Sequence, residues 1–295
     1  MGTLGIFVDR QTLSYSKKLS VLMRFRDVAE SLGHRAYFIF PVELKKISKL
    51  DGLLIRSRTD PLNVSYVAAR MATLHGIQVI DNPEAIRVCS DKVNMYMHLM
   101  RAKVPIPRTE MLVRKEIIPA DARSYFEKIG TLVVLKEPST SYSNRVKKVH
   151  RVEDFVQTAR AYFKMADELV VQEYIESEED WRIGVLNGHF LFASRYVSPR
   201  QSDQVQAIDS EEIPYFGIEM VRQDEVPSGA IDLAIQACHA IGTGLFSVDI
   251  KERQGRMYVI EVNDNPSLES GEEDLYPEIF ERIIVELLER MQATS

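Results

Sequence analysis

Short apolar runs alternate with helix-like segments in the first third of the chain. Four runs have the length of strands: Gly5–Val8, Ala36–Phe40, Gly52–Ile55 and Gln78–Ile80. Lys17–Leu32 and Pro61–His75 carry apolar residues at the spacing of amphipathic helices. This alternation predicts a small lobe built on a parallel sheet. Ligands gather at the carboxyl ends of such strands, where we expect Arg10, Arg56 and Arg58, either as anion ligands or as solvated loop charges.

The middle of the chain predicts a second lobe. One helix is expected from Asn82 to Lys103, stopped by prolines at 105 and 107. The elements that follow are strands Thr109–Val113, Leu132–Lys136 and Val146–Val149 and helices Asp121–Ile129 and Val152–Met165. The polar segment Glu137–Val146 lies between two strands and contains no glycine. Such a segment predicts a flap over a ligand.

The last third predicts antiparallel strands. The expected elements are strand Leu169–Ile175, a hairpin of Trp181–Leu186 and His189–Val197, helix Pro227–Ile241, a hairpin of Leu245–Lys251 and Met257–Val262, and helix Tyr276–Met291. Asn187-Gly188 is a strong turn signal for the first hairpin. The long polar segment Ser198–Gly217 has no periodicity, which predicts a functional loop.

The second hairpin carries the most informative polar residues. If its connection is odd in length and centred near Gly255, Asp249 lies opposite Glu261. Two facing carboxylates repel each other, so a cation is expected beside them. With the amide oxygen of Asn263 they form an all-oxygen set that suits Mg²⁺. The alternative is a surface hairpin with scattered acids.

Composition narrows the class of protein. A chain of 295 residues is long enough for two or three lobes, and its net charge of -6 argues against nucleic acid as a partner. Two cysteines, Cys89 and Cys238, form no disulfide framework, which favours a reducing compartment. No apolar run approaches the roughly 20 residues of a membrane span, and the N-terminus lacks the pattern of a signal peptide. We therefore predict a cytoplasmic protein without a membrane partner.

Several motifs occur in an order that indicates a family. They are NPEAIRVCSDK with Lys92, VPIPRT, VVLKEP with Lys136, VVQEYIESEEDWR, and SVDI followed by YVIEVNDNPS. In this order the chain resembles the ATP-grasp superfamily, and within it the RimK-like branch of ribosomal-protein glutamate ligases. The resemblance implies an α/β (α+β) fold of three lobes: a parallel N-terminal lobe (1–90), a central lid (91–170) and an antiparallel C-terminal lobe (171–295). The nucleotide is expected between the last two lobes.

The resemblance also implies nucleotide-binding residues. Lys92 and Lys136 are expected to contact the phosphates of ATP. The backbone of the hinge is expected to hold adenine through Gln172, Glu173, Tyr174 and Ile175. Asp180 falls at the position of the ribose ligand, with Glu178 or Glu179 as substitutes.

The remaining implied residues concern metal and charge. Asp249, Glu261 and Asn263 are expected to hold one or two Mg²⁺, with Mn²⁺ as the alternative ion. Arg182 and Arg195 are expected to neutralise the transferring phosphoryl group. Many members carry an arginine two residues before the first metal carboxylate, whereas this chain has Ser247 there.

The implied activity is ATP-dependent amide bond formation through an acyl phosphate, on an amino acid, a peptide or a protein terminus. Two alternatives remain open: a kinase of the same fold acting on a small molecule, and a non-catalytic protein that binds a nucleotide or peptide. Homo-oligomers are common in the family.

Overall fold

The computed structural model describes residues 1–13, 16–140, 145–177, 179–197, 217–268 and 274–293. The strands are β1 (Thr3–Phe7), β2 (Arg35–Ile39), β3 (Gly52–Ile55), β4 (Gln78–Ile80), β5 (Thr109–Val113), β6 (Val133–Lys136), β7 (Val146–Val149), β8 (Glu168–Glu173), β9 (Asp180–Leu186), β10 (His189–Val197), β11 (Gly217–Met220), β12 (Leu245–Arg253) and β13 (Arg256–Asp264). The helices are α1 (Arg10–Leu13), α2 (Ser16–Ser31), α3 (Val64–Leu74), α4 (Pro83–Cys89), α5 (Lys92–Arg101), α6 (Pro119–Ile129), α7 (Val152–Tyr162), α8 (Ala230–Ile241) and α9 (Ile279–Ala293), with 3-10 turns at Pro41–Lys49 and Gln223–Glu225.

The first lobe is built on a parallel sheet, as the alternation of elements predicts. Its strand order is β2-β1-β3-β4, and we call it sheet A. The 3-10 segment Pro41–Lys49 connects β2 to β3 and buries Ile47 in the core beside α3. The carboxyl ends of the parallel neighbours β1 and β3 lie side by side and form one edge of the sheet.

The last helix, α9, completes the core of the first lobe. Phe280 meets Phe25 of α2 edge to face, with ring centroids 4.9 Å apart. Gly52 on β3 allows the close approach of α9, because a Cβ there would lie 2.7 Å from the sulfur of Met291. The sequence predicts this helix but gives no indication that it packs against α2 and sheet A, which are distant from it along the chain.

The central sheet is antiparallel and contains the three strands predicted for the second lobe, together with β8, which the sequence pattern assigns to the last third of the chain. Its order is β5-β8-β6-β7, and we call it sheet B. Helices α6 and α7 pack on one face, with Phe155 at the centre of the apolar cluster. Strand β8 pairs with β6 as far as Glu173, so that the expected lobe limit at residue 170 falls within a strand.

The third sheet is antiparallel and has the order β11-β10-β9-β12-β13; we call it sheet C. Helices α5 and α8 share a core with one of its faces. On the opposite face, Phe192 and Leu245 pack in the cluster that contains α9 and sheet A. Strand β11 was not expected, and most of the predicted loop Ser198–Gly217 lies outside the described residues.

The helix predicted from Asn82 to Lys103 is in fact two helices, so this prediction was wrong. The chain leaves helical geometry at Asp91, whose carboxylate accepts hydrogen bonds from the N–H groups of Val93 and Asn94 at 2.9 and 3.3 Å. Aspartate is a favoured N-cap because it satisfies donors that have no partner inside the helix. The break places Lys92 at the first position of α5.

Among the helices that the structure describes, none combines the length and the hydropathy needed to cross a membrane.

Candidate active site

Asp249 and Glu261 lie directly opposite each other on β12 and β13, as expected. An odd connection does not produce this pairing. The turn has two residues, Gln254 and Gly255, both with positive φ (54° and 74°), which is the type I′ geometry of tight hairpins. The register shifts by one residue beside Asp249, so that Ile260 is an extra residue on β13. This bulge brings Glu261 opposite Asp249.

Asp249 has three polar neighbours. Arg182, opposite it on β9, donates from Nε to Oδ1 at 2.9 Å and from Nη2 to Oδ2 at 3.3 Å. The hydroxyl of Tyr196 and the amide of Asn263 approach the same carboxylate at 3.4 and 3.3 Å. Burial raises the pKa of Asp249, and the charge of Arg182 opposes that rise. One cation and two neutral groups therefore hold this carboxylate.

Lys92 reaches Glu261 from the start of α5, with Nζ 3.2 Å from Oε1. Its ammonium also donates to the carbonyl of Thr140, and its backbone N–H donates to the carbonyl of Pro138 at 3.1 Å. Both acceptors belong to the segment predicted as a flap, of which residues 141–144 lie outside the described residues. Lys92 thus links Glu261 to the base of that segment.

Lys136, at the end of β6, is buried with its Nζ 2.9 Å from the hydroxyl of Tyr96. Burial lowers the pKa of Lys136 to about 8, although two carboxylates of the site oppose the shift. The Tyr96 hydroxyl also lies 3.2 Å from Oε1 of Gln172. Tyr96 is a site residue that was not expected, although its position four residues after Lys92 places both on one helix face.

Three of the expected hinge residues, Gln172, Glu173 and Tyr174, use their side chains within the protein, and the hydroxyl of Tyr174 accepts from Nζ of Lys148 at 2.9 Å. Gln172 donates from Nε2 to the hydroxyl of Thr109 at 2.9 Å. The carboxylate of Glu173 accepts from Arg108 Nε at 3.1 Å and from Arg253 Nη1 at 2.8 Å. These contacts connect β8 to β5 and to the turn end of β12.

The backbone of the expected hinge is partly hydrogen-bonded. The N–H of Glu173 donates to the carbonyl of Arg108 at 2.8 Å, and the N–H of Tyr174 donates to the carbonyl of Leu132 at 3.3 Å. Ile175, the last residue of the expected hinge, is buried. The adenine contact stays a prediction. Because these two N–H groups already have partners within the protein, we expect adenine to bind to other backbone groups of residues 172–175.

Asp180, the expected ribose ligand, forms an ion pair with Lys251. The ammonium lies 2.5 and 2.6 Å from the two carboxylate oxygens. Lys251 stands two residues after Asp249, so both project from the same face of β12. Of the two substitutes, Glu179 pairs with an arginine of β10 at 2.8 Å, and Glu178 lies outside the described residues.

Arg195 does not join the other site residues. It lies opposite Trp181 on β9, so the two share a face, and Trp181 belongs to the core between sheet C and α8. The guanidinium of Arg195 donates to Glu219 at 2.9 Å. Tyr196, the next residue, projects from the site face, with its ring centroid 5.0 Å from the guanidinium carbon of Arg182. The structure brings Arg182, not Arg195, to the paired carboxylates.

The expected metal ligands share one face of the β12–β13 hairpin. Among the described residues no group of three or more His, Cys, Asp or Glu side chains could hold a metal. The expected set differs in kind, because its third member, Asn263, is an amide. Asp249 and Glu261 face each other with partly buried hard oxygen atoms, and this donor chemistry fits Mg²⁺. Each carboxylate pairs with one cation, Arg182 or Lys92.

Three arginines lie at the carboxyl edge of sheet A. Arg10 and Arg58 are exposed there. Arg56 is buried, and its guanidinium donates to Oδ1 of Asn265 at 2.8 Å and to the carbonyl of Pro266 at 2.9 Å. Arg56 therefore connects the first lobe to the end of β13.

The same architecture occurs in solved ligase structures. The structure of D-alanine–D-alanine ligase from Bacillus anthracis complexed with ATP covers 100% of this chain and 100% of its own, with a TM-score of 0.73 and 18% identity. The RimK domain protein ATP-grasp from Sphaerobacter thermophilus covers 99% of this chain and 98% of its own, with a TM-score of 0.66 and 16% identity. The fold is thus that of the ATP-grasp ligases.

The sequence narrows this class. The chain belongs to the RimK-like ATP-grasp domain family, which matches residues 89–287. One relative, the glutamate–LysW ligase ArgX of Sulfolobus acidocaldarius, is 25% identical over 230 residues, which are 75% of this chain and 76% of that protein. The family resemblance, the fold class and the enzyme class, an ATP-dependent carboxylate–amine ligase, are confirmed.

Proposed function

We propose that ATP binds between sheets B and C and that Asp249, Glu261 and Asn263 hold one or two Mg²⁺ beside it. The observation that carries the proposal is the register that sets the two carboxylates opposite each other, with Lys92 at 3.2 Å. A partly buried pair of like charges needs positive charge nearby, and a metal ion supplies it together with the lysine. Mn²⁺ has the same preference for oxygen and is the alternative ion.

Different lobes are proposed to bind different parts of the nucleotide. We assign Lys92 and Lys136 to the phosphates, the segment from Gln172 to Ile175 to adenine, and Asp180 to ribose. We propose lobes at 1–90, 91–173 and 174–295, which moves the expected limit from residue 170 to the end of β8. In this division the two lysines approach the phosphates from α5 and from sheet B, while the metal ligands come from sheet C.

The reaction that suits these residues is activation of a carboxylate. A carboxylate resists attack by an amine at neutral pH, and transfer of the γ-phosphoryl group of ATP to it gives an acyl phosphate with a good leaving group. Attack by a free amine then yields an amide, ADP and phosphate. Phosphoryl transfer depends on positioning and charge neutralisation more than on covalent protein chemistry. When bound, Mg²⁺ would neutralise phosphate charge; Lys92, Lys136 and Arg182 add fixed positive charge at the same place.

The substrates are proposed by class. The relative ArgX is, by name, a glutamate–LysW ligase, and this describes that protein. For this chain we propose an amino acid, a peptide or a protein terminus as the source of the carboxylate and the amine. The exposed Arg10 and Arg58 support an anionic carboxylate donor at the edge of sheet A.

The experiment mixes the protein with ATP, Mg²⁺ and a panel of amino acids and peptides, and measures phosphate release. Asp249→Ala and Glu261→Ala are expected to abolish release, whereas Asp224→Ala, which removes an exposed acid that pairs with Arg222, is expected to leave it unchanged. Near-normal release in both site variants would contradict the metal assignment. Hydroxylamine added to the reaction should give a hydroxamate, because an acyl phosphate forms one and a phosphorylated alcohol does not.

Two other functions make different predictions in this assay. A kinase of the same fold would consume ATP without yielding a hydroxamate. A non-catalytic binder would bind ATP tightly and release no phosphate with any substrate.

We infer that the protein works in the cytoplasm. Cys89 and Cys238 are both free and buried, which suits a reducing compartment.

A further inference from the structure

The position of Glu261 depends on the bulge in β13. If the pairing of β12 and β13 continued from the two-residue turn without the bulge, Asp249 would lie opposite Ile260. Because neighbouring residues of a strand face opposite sides, Glu261 and Asn263 would then point away from Asp249. The extra residue therefore turns both proposed metal ligands toward the site. A bulge leaves backbone groups unpaired, so it needs partners outside the sheet.

Partners for this strand come from α5 and from the residues that follow it. β13 is an edge strand, and its N–H groups at Val259 and Val262 bond to the carbonyl of Pro105 at 2.9 Å and to the sulfur of Met95 at 3.2 Å. The carbonyl of the bulge residue itself, Ile260, accepts a hydrogen bond from the hydroxyl of Tyr96 at 2.5 Å. The phenol thus binds the one residue that sets the register.

The same hydroxyl contacts a lysine of sheet B. Nζ of Lys136 lies 2.9 Å from the oxygen of Tyr96, and an ammonium group can only donate. The phenol therefore accepts from Lys136, and its single proton is left for the carbonyl of Ile260, with Oε1 of Gln172 as a more distant acceptor at 3.2 Å. One buried oxygen joins the two sheets that enclose the site.

We propose that Tyr96 is a positioning residue that couples the phosphate-binding lysine to the metal-binding strand. Its hydroxyl fixes Lys136 on one side and the bulge carbonyl on the other, so the nucleotide and the metal ligands are held in one arrangement. This inference rests on the proposed roles of Lys136 and Glu261. In this role Tyr96 acts through Lys136 and Ile260, which its hydroxyl contacts.

The test is Tyr96→Phe, which keeps the buried ring and removes only the hydroxyl. We expect the variant to fold, with ADP affinity about tenfold weaker, the loss typical of a buried hydrogen bond to a charged group. We also expect Mn²⁺ affinity in the presence of ADP to fall by about threefold, as measured by electron paramagnetic resonance, because a neutral hydrogen bond is weaker. ADP affinity is measured by titration calorimetry.

Double-mutant cycles separate coupling from general destabilisation. Tyr96→Phe should add little to Lys136→Met in ADP binding, and little to Glu261→Gln in Mn²⁺ binding. The matched control is Tyr276→Phe, since the Tyr276 hydroxyl also donates to a backbone carbonyl, that of Val221 at 2.7 Å, and has no lysine partner within the described part of the chain. It should lower the melting temperature to a similar degree without changing either affinity.

Two results overturn the inference. Unchanged affinities in Tyr96→Phe, or effects that are simply additive in both cycles, would leave Tyr96 as a core residue while the proposed site stands. If Lys136→Met and Glu261→Gln also bind ADP and Mn²⁺ normally, the assignment of the site itself falls, and the role of Tyr96 falls with it.

Discussion

Arg182 and Arg195 project from opposite faces of sheet C, although they belong to one hairpin. Arg182 forms a two-point contact with Asp249, and its guanidinium carbon lies 5.0 Å from the ring centroid of Tyr196. Arg195 shares a face with Trp181 and pairs with exposed acids at the sheet margin. Two arginines that look equivalent in the sequence therefore occupy different environments.

The two arginines should differ sharply when replaced. We expect Arg182→Met to lower phosphate release by about 100-fold or more, because it removes fixed positive charge at the proposed phosphoryl group. Arg195→Met should keep release within about threefold, since partly exposed ion pairs contribute about 1 kcal/mol or less. Steady-state kinetics on both variants provides the comparison.

Stability has to be measured beside activity in this pair. Arg182→Met leaves the carboxylate of Asp249 without its cation, which we expect to cost about 3 kcal/mol of unfolding free energy. Arg182→Lys restores the charge but not the two-point geometry, and should recover stability more than turnover. Equal loss of turnover in the methionine variants would contradict the placement on opposite faces.

We expect the protein to take up a proton when it binds a nucleotide at mildly alkaline pH. Burial holds the pKa of Lys136 at about 8 in the free protein, so this lysine loses its charge as pH rises through that value. Phosphate oxygens beside Lys136 favour its ammonium form and raise its pKa, so the lysine regains its proton when the nucleotide binds. Above pH 8, ADP affinity should fall by up to about tenfold per pH unit. Calorimetry in two buffers of different ionisation enthalpy counts the protons.

A lysine-to-arginine change isolates this effect. A guanidinium at this position stays charged throughout the range, so Lys136→Arg should bind ADP with little dependence on pH between about 8 and 9.5. The measurement would count against the proposed phosphate contact if the unaltered protein showed no proton uptake and the same flat profile.

Arg56 and Arg58 form a second matched pair. Arg56→Met should lower the free energy of unfolding by about 3 kcal/mol, because two acceptors in the junction, on Asn265 and Pro266, lose their donor. Arg58→Met removes an exposed charge and should change it by about 0.5 kcal/mol or less. Chemical denaturation measures both values.

The kinetic outcome of Arg58→Met tests the anionic substrate. If the edge of sheet A binds a carboxylate donor, the KM for that donor should rise about tenfold while the KM for ATP stays constant, since a lost charged hydrogen bond costs about that factor. A donor KM that does not move would place the donor elsewhere.

Much of the fold is predictable from local pattern alone. Runs such as Gly52–Ile55 and Gln78–Ile80 are strands at the expected residues, because a short apolar run between turn signals has few alternatives. The packing of α9 on sheet A was not predictable, since its apolar face fits any core. The break at Asp91 was readable in principle, because aspartate before a periodic segment is an N-cap signal.

The candidate site divides in the same way. Asp249 and Glu261 could be paired from the sequence, yet the reason lies in the bulge at Ile260, which leaves no local signature. The family resemblance assigns Arg182 and Arg195 the same role, whereas the face from which each side chain projects depends on strand register. Tyr96 was missed because its partners, on β6 and β13, are distant along the chain.

The packing of α9 also governs the order in which the protein can be built. Phe25 of α2 packs against Phe280 of α9, which is synthesised much later. Part of the apolar core of the first lobe therefore stays exposed to water while the ribosome makes the two lobes that follow. The first lobe can therefore complete its core only after α9 has been synthesised, whereas the core of sheet B, formed within residues 112–171, does not depend on that helix.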